Sequence, residues 1–141
     1  EMKEAVEEEF GNADCLIMAA AVADYRAKEI ADFKMKKTSA DEISIELVKN
    51  PDILKEICSK KKENQTVIGF CAESENVLEF AKEKIKQKGC DFLVANDISR
   101  PDIGFSSDYN EVYILDKTGN VEKVEKNTKT KIAQKILEVI F

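Results

Sequence analysis

Apolar runs at 15–22, 66–70 and 91–95, separated by segments with a helical repeat, leave this chain few folds to choose from. The first run, Cys15 to Val22, is continuously apolar rather than alternating, the pattern of a strand covered on both faces. Asn50-Pro51-Asp52 predicts a helix start, with Asn as N-cap, Pro in the first helical position and an acid in the first turn. That helix should run to about Lys62 and return to a strand from Thr66 to Phe70. Ser74 predicts the cap of a second helix, ended after Lys88 by Gly89 in the left-handed conformation, with a strand from Asp91 to Ala95 directly behind it. Strand, helix, strand, helix, strand in this order implies a parallel, right-handed arrangement.

The flanks complete the picture. Residues 1–10 read as the tail of an acidic helix ended by Gly11-Asn12, while 23–42 are polar and without period, a long excursion of the kind that is usually functional. Ile43 to Leu47 alternates and predicts a strand with one wet face. Val112 to Leu115 is expected to pair with Val121 to Val124 across Lys117-Thr118-Gly119-Asn120. Asn127 or Thr128 then caps a last helix whose Ile132, Ala133, Ile136, Leu137 and Ile140 form one apolar stripe. The expected fold class is therefore α/β, a Rossmann-like, doubly wound, mostly parallel sheet with an added antiparallel hairpin. With 141 residues, 43% of them hydrophobic, residues 1–141 are expected to form one domain.

Charge and composition narrow the function. The net charge of −6 has both signs interspersed, which argues against nucleic acid or an anionic membrane as partner. No apolar run approaches the roughly 20 residues of a membrane span, and the acidic opening is unlike a signal peptide, so a cytoplasmic location is expected. Cys15, Cys58, Cys71 and Cys90 are far apart and mostly set among apolar residues, so neither disulfides nor a metal site is expected. The chain has no histidine, which removes Ser-His and Cys-His nucleophile pairs. Chemistry must run on Lys, Asp, Asn and backbone dipoles.

Parallel strands place ligands beyond their carboxyl ends. There the first strand leaves through the small residues Ala19, Ala20 and Ala21, then supplies Asp24, Tyr25 and Arg26, with Lys34-Met35-Lys36-Lys37 close behind. The lysines suit a polyphosphate. Gly69 permits close approach and Phe70 offers a ring, although taken alone that pair is better explained as a strand end with a core aromatic. Lys84 and Lys88 lie one turn apart at the edge of the face formed by Val77, Leu78, Ala81 and Ile85. Snorkelling to water accounts for such lysines, and so does neutralising a triphosphate.

Six ordered segments together resemble phosphopantothenate–cysteine ligase over nearly the whole chain. They are Ala20 to Tyr25, Lys34 to Lys37, Val48 to Leu54, Gly69 to Glu73, Ala95 to Asp97 and Gly104 to Asn110. The resemblance implies that 4′-phosphopantothenate and cysteine are joined through an acyl-cytidylate, with CTP giving CMP and pyrophosphate. It further implies that Met18, Ala19, Ala20, Asp24, Pro51, Asp52, Ile53, Leu54, Phe70, Lys84 and Lys88 contact the nucleotide. Lys34 would stabilise charge during cytidylate formation and Ala21 would lie near the acyl group.

Mg2+ would accompany the triphosphate, the stretch from about Lys36 to Ile43 would act as a flap, and the family is typically dimeric. Candidate dimer contacts are the hairpin near 111–124 and the segment after Asp24. FMN enters only if a decarboxylase is fused upstream. The family's Gly-rich first strand-to-helix turn is not found before Glu1, so a partial ligase domain is expected. An ATP-dependent version and a non-catalytic nucleotide-binding or regulatory module are the alternatives. A dehydrogenase is disfavoured by the lack of Gly-x-Gly-x-x-Gly.

Overall fold

The computed structural model describes residues 1–31, 33–34, 42–104 and 106–141. Two compact units divide the chain, one formed by 1–20 with 53–141 and the other by 21–52.

The larger unit contains α1 (Met2–Phe10), β1 (Cys15–Met18), α2 (Ile53–Lys60), β4 (Thr66–Glu73), α3 (Val77–Lys88), β5 (Phe92–Asp97), β6 (Tyr109–Asp116), β7 (Val121–Thr128) and α4 (Lys129–Ile140). Its five strands lie in the order β1-β4-β5-β6-β7. β1, β4 and β5 are parallel, and β6 and β7 add an antiparallel hairpin beside β5. Alternation along the strands sorts the core into two layers. Val67, Cys71, Leu93, Ala95 and Leu115 pack with Phe10 of α1, Ile57 of α2 and Ala81 and Ile85 of α3, whereas Ile68, Val94, Val112 and Ile114 pack with Ile132 and Ile136 of α4. Helices thus cover both faces, the doubly wound Rossmann-like arrangement that the strand and helix order predicts.

Local boundaries depart from the sequence reading where a non-local partner intervenes. β1 ends at Met18, and β4 and β5 run on past Phe70 and Ala95 to Glu73 and Asp97 because they pair with each other along that length. α3 begins at Val77 behind Asn76, whose φ of 48° places it in the left-handed region, so Ser74 is not the cap. Gly89 ends α3 in the left-handed conformation, as its position requires. In the hairpin Val112 faces Val124 and Leu115 faces Val121, and the Asp116 carboxylate accepts hydrogen bonds from Thr118 and Asn120 in the turn. Thr128, not Asn127, caps α4, accepting from the Lys131 amide. The buried stripe of α4 is Ile132 and Ile136 with half-buried Val139 and Ile140; Ala133 and Leu137 are exposed.

The smaller unit holds β2 (Tyr25–Ala27) antiparallel to β3 (Leu47–Lys49). The expected strand over Ile43 to Leu47 is displaced, since Tyr25 pairs with Lys49 and Ala27 with Leu47, and only Leu47 is shared with the prediction. Asn50 does not cap α2. It donates from Nδ2 to the Ala23 carbonyl at 2.7 Å and accepts from Arg26 at 3.0 Å, closing the ribbon, while α2 starts at Ile53.

Candidate functional site

Within the larger unit the parallel strands end unevenly. Met18 is level with Gly69, but β4 continues to Glu73, level with Asp97 of β5, so β4 rises roughly 13 Å beyond β1. Ala19 and Ala20 leave β1 at the foot of this step and are exposed.

One cation reaches the top of the step. α3 runs back against the strands with Val77, Ala81 and Ile85 facing the sheet, and Lys84 stands beside that face. Helical side chains lean toward the helix amino terminus, here toward the carboxyl ends of the strands. The Lys84 Nζ accordingly donates to Glu73 Oε1 at 2.9 Å. Glu73 is mostly buried and Lys84 half-exposed, and a pair so open to solvent contributes on the order of 0.5 kcal/mol to folding. Burial pushes the nearby Cys71 thiol up to about 11, with Lys84 opposing the shift, so Cys71 is no nucleophile at neutral pH.

The other residues of the edge are committed locally. The Asp97 carboxylate accepts from the hydroxyl and amide of Ser99, which holds it below its ordinary range. Asn110 donates to Asn96 at 3.2 Å, tying the start of β6 to β5. Just beyond, Ile98, Ser99, Arg100, Pro101 and Ile103 line an open hollow of about 310 Å³. Its Arg100 is held by both oxygens of Asp102, which Lys126 also binds at 2.6 Å.

The residues singled out in the sequence distribute as follows. Met18, Ala19, Ala20, Ile53, Leu54, Phe70, Lys84 and Lys88 belong to the larger unit, and Ala21, Asp24, Lys34, Pro51 and Asp52 to the smaller. Lys34 is exposed, whereas Met35, Lys36 and Lys37, residues 36 to 41 of the flap expected from about Lys36 to Ile43, and Phe105 lie outside the described residues. Lys84 meets the strand end. Lys88 stands in the last turn of α3, next to Cys90, where the helix dipole favours a cation.

Gly69 has a different use from the one its place in the sequence suggested. A Cβ there would come 2.7 Å from Leu54 Cδ2 and 3.1 Å from Leu93 Cδ1, so the missing side chain admits α2 to the sheet. Phe70 is half-buried and packs toward α4. The sequence places Glu73 at the end of the Gly69 to Glu73 segment without a role of its own; its signal is a carboxylate ending an otherwise apolar and small-residue strand. Among the described residues no group of three or more His, Cys, Asp or Glu is placed to hold a metal ion, and no helix is long and apolar enough to cross a membrane.

Comparison with known proteins places these features in context. A family model described as "DNA/pantothenate metabolism flavoprotein C-terminal domain" matches residues 1–141. The chain is 42% identical over 129 residues to the coenzyme A biosynthesis bifunctional protein CoaBC of Borreliella burgdorferi, covering 91% of this chain and 32% of that protein. It is 39% identical over 141 residues to a protein from an unknown prokaryotic organism named cysteine/cysteine sulfinic acid decarboxylase, covering 100% of this chain and 39% of that one. The chain therefore spans about a third of these relatives. A crystal structure of the C-terminal domain of CoaBC superposes with a TM-score of 0.76 at 36% identity, covering 99% of this chain and 59% of that chain.

Proposed function

Because the chain belongs to the DNA/pantothenate metabolism flavoprotein C-terminal domain family, we propose that it is the nucleotide-binding portion of a phosphopantothenate–cysteine ligase acting in coenzyme A biosynthesis. The reading is supported by the uneven strand ends, where β4 outruns β1, small residues Ala19 and Ala20 leave β1, and the Lys84 ammonium meets Glu73 at the end of β4.

The reaction proposed has two transfers. The carboxylate of 4′-phosphopantothenate attacks the α-phosphorus of CTP, forming a phosphorus–oxygen bond as the bond to pyrophosphate breaks. The cysteine amine then attacks the acyl carbon of the acyl-cytidylate, an amide forms as CMP leaves, and the amine gives up its proton to solvent. Such transfers need charge neutralisation and alignment more than covalent help from the protein, which suits a chain that has no histidine. In this reading Met18, Ala19, Ala20, Asp24, Pro51 to Leu54, Phe70, Lys84 and Lys88 receive the nucleotide, Lys34 spreads the developing charge, and Ala21 lies by the acyl group. Mg2+ would accompany the triphosphate and neutralise part of its charge without a dedicated protein cage. CTP is the proposed donor, and ATP is the competitor the test must separate.

The reading extends to assembly and location. In the smaller unit no described residue is buried, and Val22, Tyr25, Ile30, Phe33, Ile43, Ile45 and Leu47 are all exposed. A two-stranded ribbon with that much open apolar surface is marginal alone. A second copy presenting the same surface is the occupant we assign to it, giving a two-fold homodimer. The other candidate contact, the hairpin, is disfavoured because its edge strand β7 exposes Glu122, Lys123, Glu125 and Lys126, charges that blunt strand addition. Four free thiols suit the reducing cytoplasm.

The test is pyrophosphate release by the full-length protein with CTP or ATP, Mg2+ and 4′-phosphopantothenate. Turnover with CTP is expected to exceed that with ATP, and Lys34→Ala to lower it about 100-fold. Equal turnover in Lys34→Ala would remove that residue from the mechanism.

A further inference from the structure

We propose that the outer edge of β1 is a docking site for a parallel strand of the same protein, supplied by the polypeptide that leads into α1 in the full-length molecule. The helix that follows this strand lies over Cys15, Ile17 and Phe70. The proposal concerns the larger unit alone and stands whether or not a nucleotide binds there.

β1 is the end strand of the five-stranded sheet, and among the described residues only β4 pairs with it. The Asp14 carbonyl accepts the Thr66 amide at 2.9 Å and Leu16 is level with Val67, so in a parallel ladder the backbone groups of Leu16 and Met18 turn toward β4. Those of Cys15 and Ile17 turn to the outer edge, where a further strand would pair with them.

The side chains of β1 also call for cover. Its continuous apolarity is that of a strand buried on both faces, yet Ile17 is 44% exposed. Alternation sets Leu16 and Met18 on the face covered by α1, α2 and α3, and Cys15 and Ile17 on the other. The helix on that second face is α4, which packs on β6 and β7 at the opposite side of the sheet. Phe70 and Cys15, on the same face as Ile17, are only half-buried.

The winding of the sheet identifies the occupant. α2 and α3 lead into β4 and β5 and lie on one face, as right-handed crossovers that advance in one direction require. α1 lies on that face too and leads into β1, so the strand before α1 belongs on the far side of β1 from β4. A strand there that is followed by a helix leading farther outward carries that helix on the opposite face, over Ile17 and Phe70. The direction of winding then reverses at the outer edge of β1, which Ala19 and Ala20 leave, and such a reversal is where open α/β sheets take ligands. The similar CoaBC C-terminal domain structure has room for such a unit, since this chain covers 59% of it and roughly two-fifths lies outside the match.

Hydrogen exchange of the unsubstituted full-length protein, read residue by residue over β1, tests the proposal. With a strand docked, the Cys15 and Ile17 amides should exchange within about tenfold of Leu16 and Met18, whereas on a bare edge they should exchange at least about a hundredfold faster. The protection should survive dilution, because the strand belongs to the same molecule. A benzophenone side chain at position 17 should cross-link to polypeptide ahead of α1, and Ile17→Lys should lower the melting temperature by roughly 10 °C. Fast exchange at Cys15 and Ile17 would overturn the docking. Protection lost on dilution, or cross-links confined to a second copy or to residues 1–141, would overturn the assigned occupant. A melting temperature of Ile17→Lys within about 2 °C of the unsubstituted protein would overturn the covering helix.

Discussion

The side chain of Asp91 shows how one carboxylate can hold three parts of a fold together. At the amino end of β5 it is almost wholly buried and accepts from Lys117 at 2.9 Å, from Lys61 at 3.0 Å and from the Val67 amide at 2.9 Å. Burial pushes its pKa up, but the hydrogen bonds from Lys117, Val67 and Lys61 outweigh it, and the group ends below its ordinary value. A depressed pKa stabilises the fold at any pH above the unfolded value, and that contribution disappears as pH falls through the folded value. Asp91→Ala should therefore cost about 3 kcal/mol near neutral pH, leaving two lysines facing an empty site. Urea denaturation should find this gap clearly narrower at about pH 3 than at pH 7, below the ordinary carboxylate pKa. A gap independent of pH would contradict the account. None of this could be read from Asp91 in the sequence, because its partners lie 24 to 30 residues away on either side.

At the scale of the element, β4 and α2 explain both what the sequence revealed and what it hid. The apolar run from Thr66 and the alternation Val67, Gly69, Cys71 against Ile68, Phe70 locate a strand and its two faces by local rules alone. The role of Gly69 is not local, since it depends on Leu54 arriving from α2. Gly69→Ala should cost about 2 kcal/mol through overpacking, measured by chemical denaturation. A cost near zero would mean that α2 shifts freely. The displaced strand at Leu47–Lys49 and the uncapped Asn50 have the same origin. Alternation over Ile43 to Leu47 is a true local signal, but pairing with Tyr25 to Ala27 sets the register, and Asn50 follows the ribbon. The Leu137 stripe position failed because the sheet beneath α4 meets only Ile132 and Ile136 fully.

For the whole molecule, the sequence made the layered sheet legible, while the step between β1 and β4 emerged only from strand pairing. The smaller unit carries the clearest assembly prediction. At micromolar concentration the protein should sediment as a dimer, and the double substitution Ile43→Glu with Ile45→Glu should yield a monomer; an unsubstituted protein that sediments as a monomer would contradict the assigned occupant. The central claim, a nucleotide gripped at the carboxyl edge of the parallel strands, is tested most directly by calorimetry of the full-length protein with CTP, ATP and GTP in the presence of Mg2+. The account predicts saturable binding with CTP preferred, weakened about tenfold in Lys84→Ala by loss of one charge-assisted contact. Indifference to all three nucleotides, or CTP affinity untouched by Lys84→Ala, would contradict it.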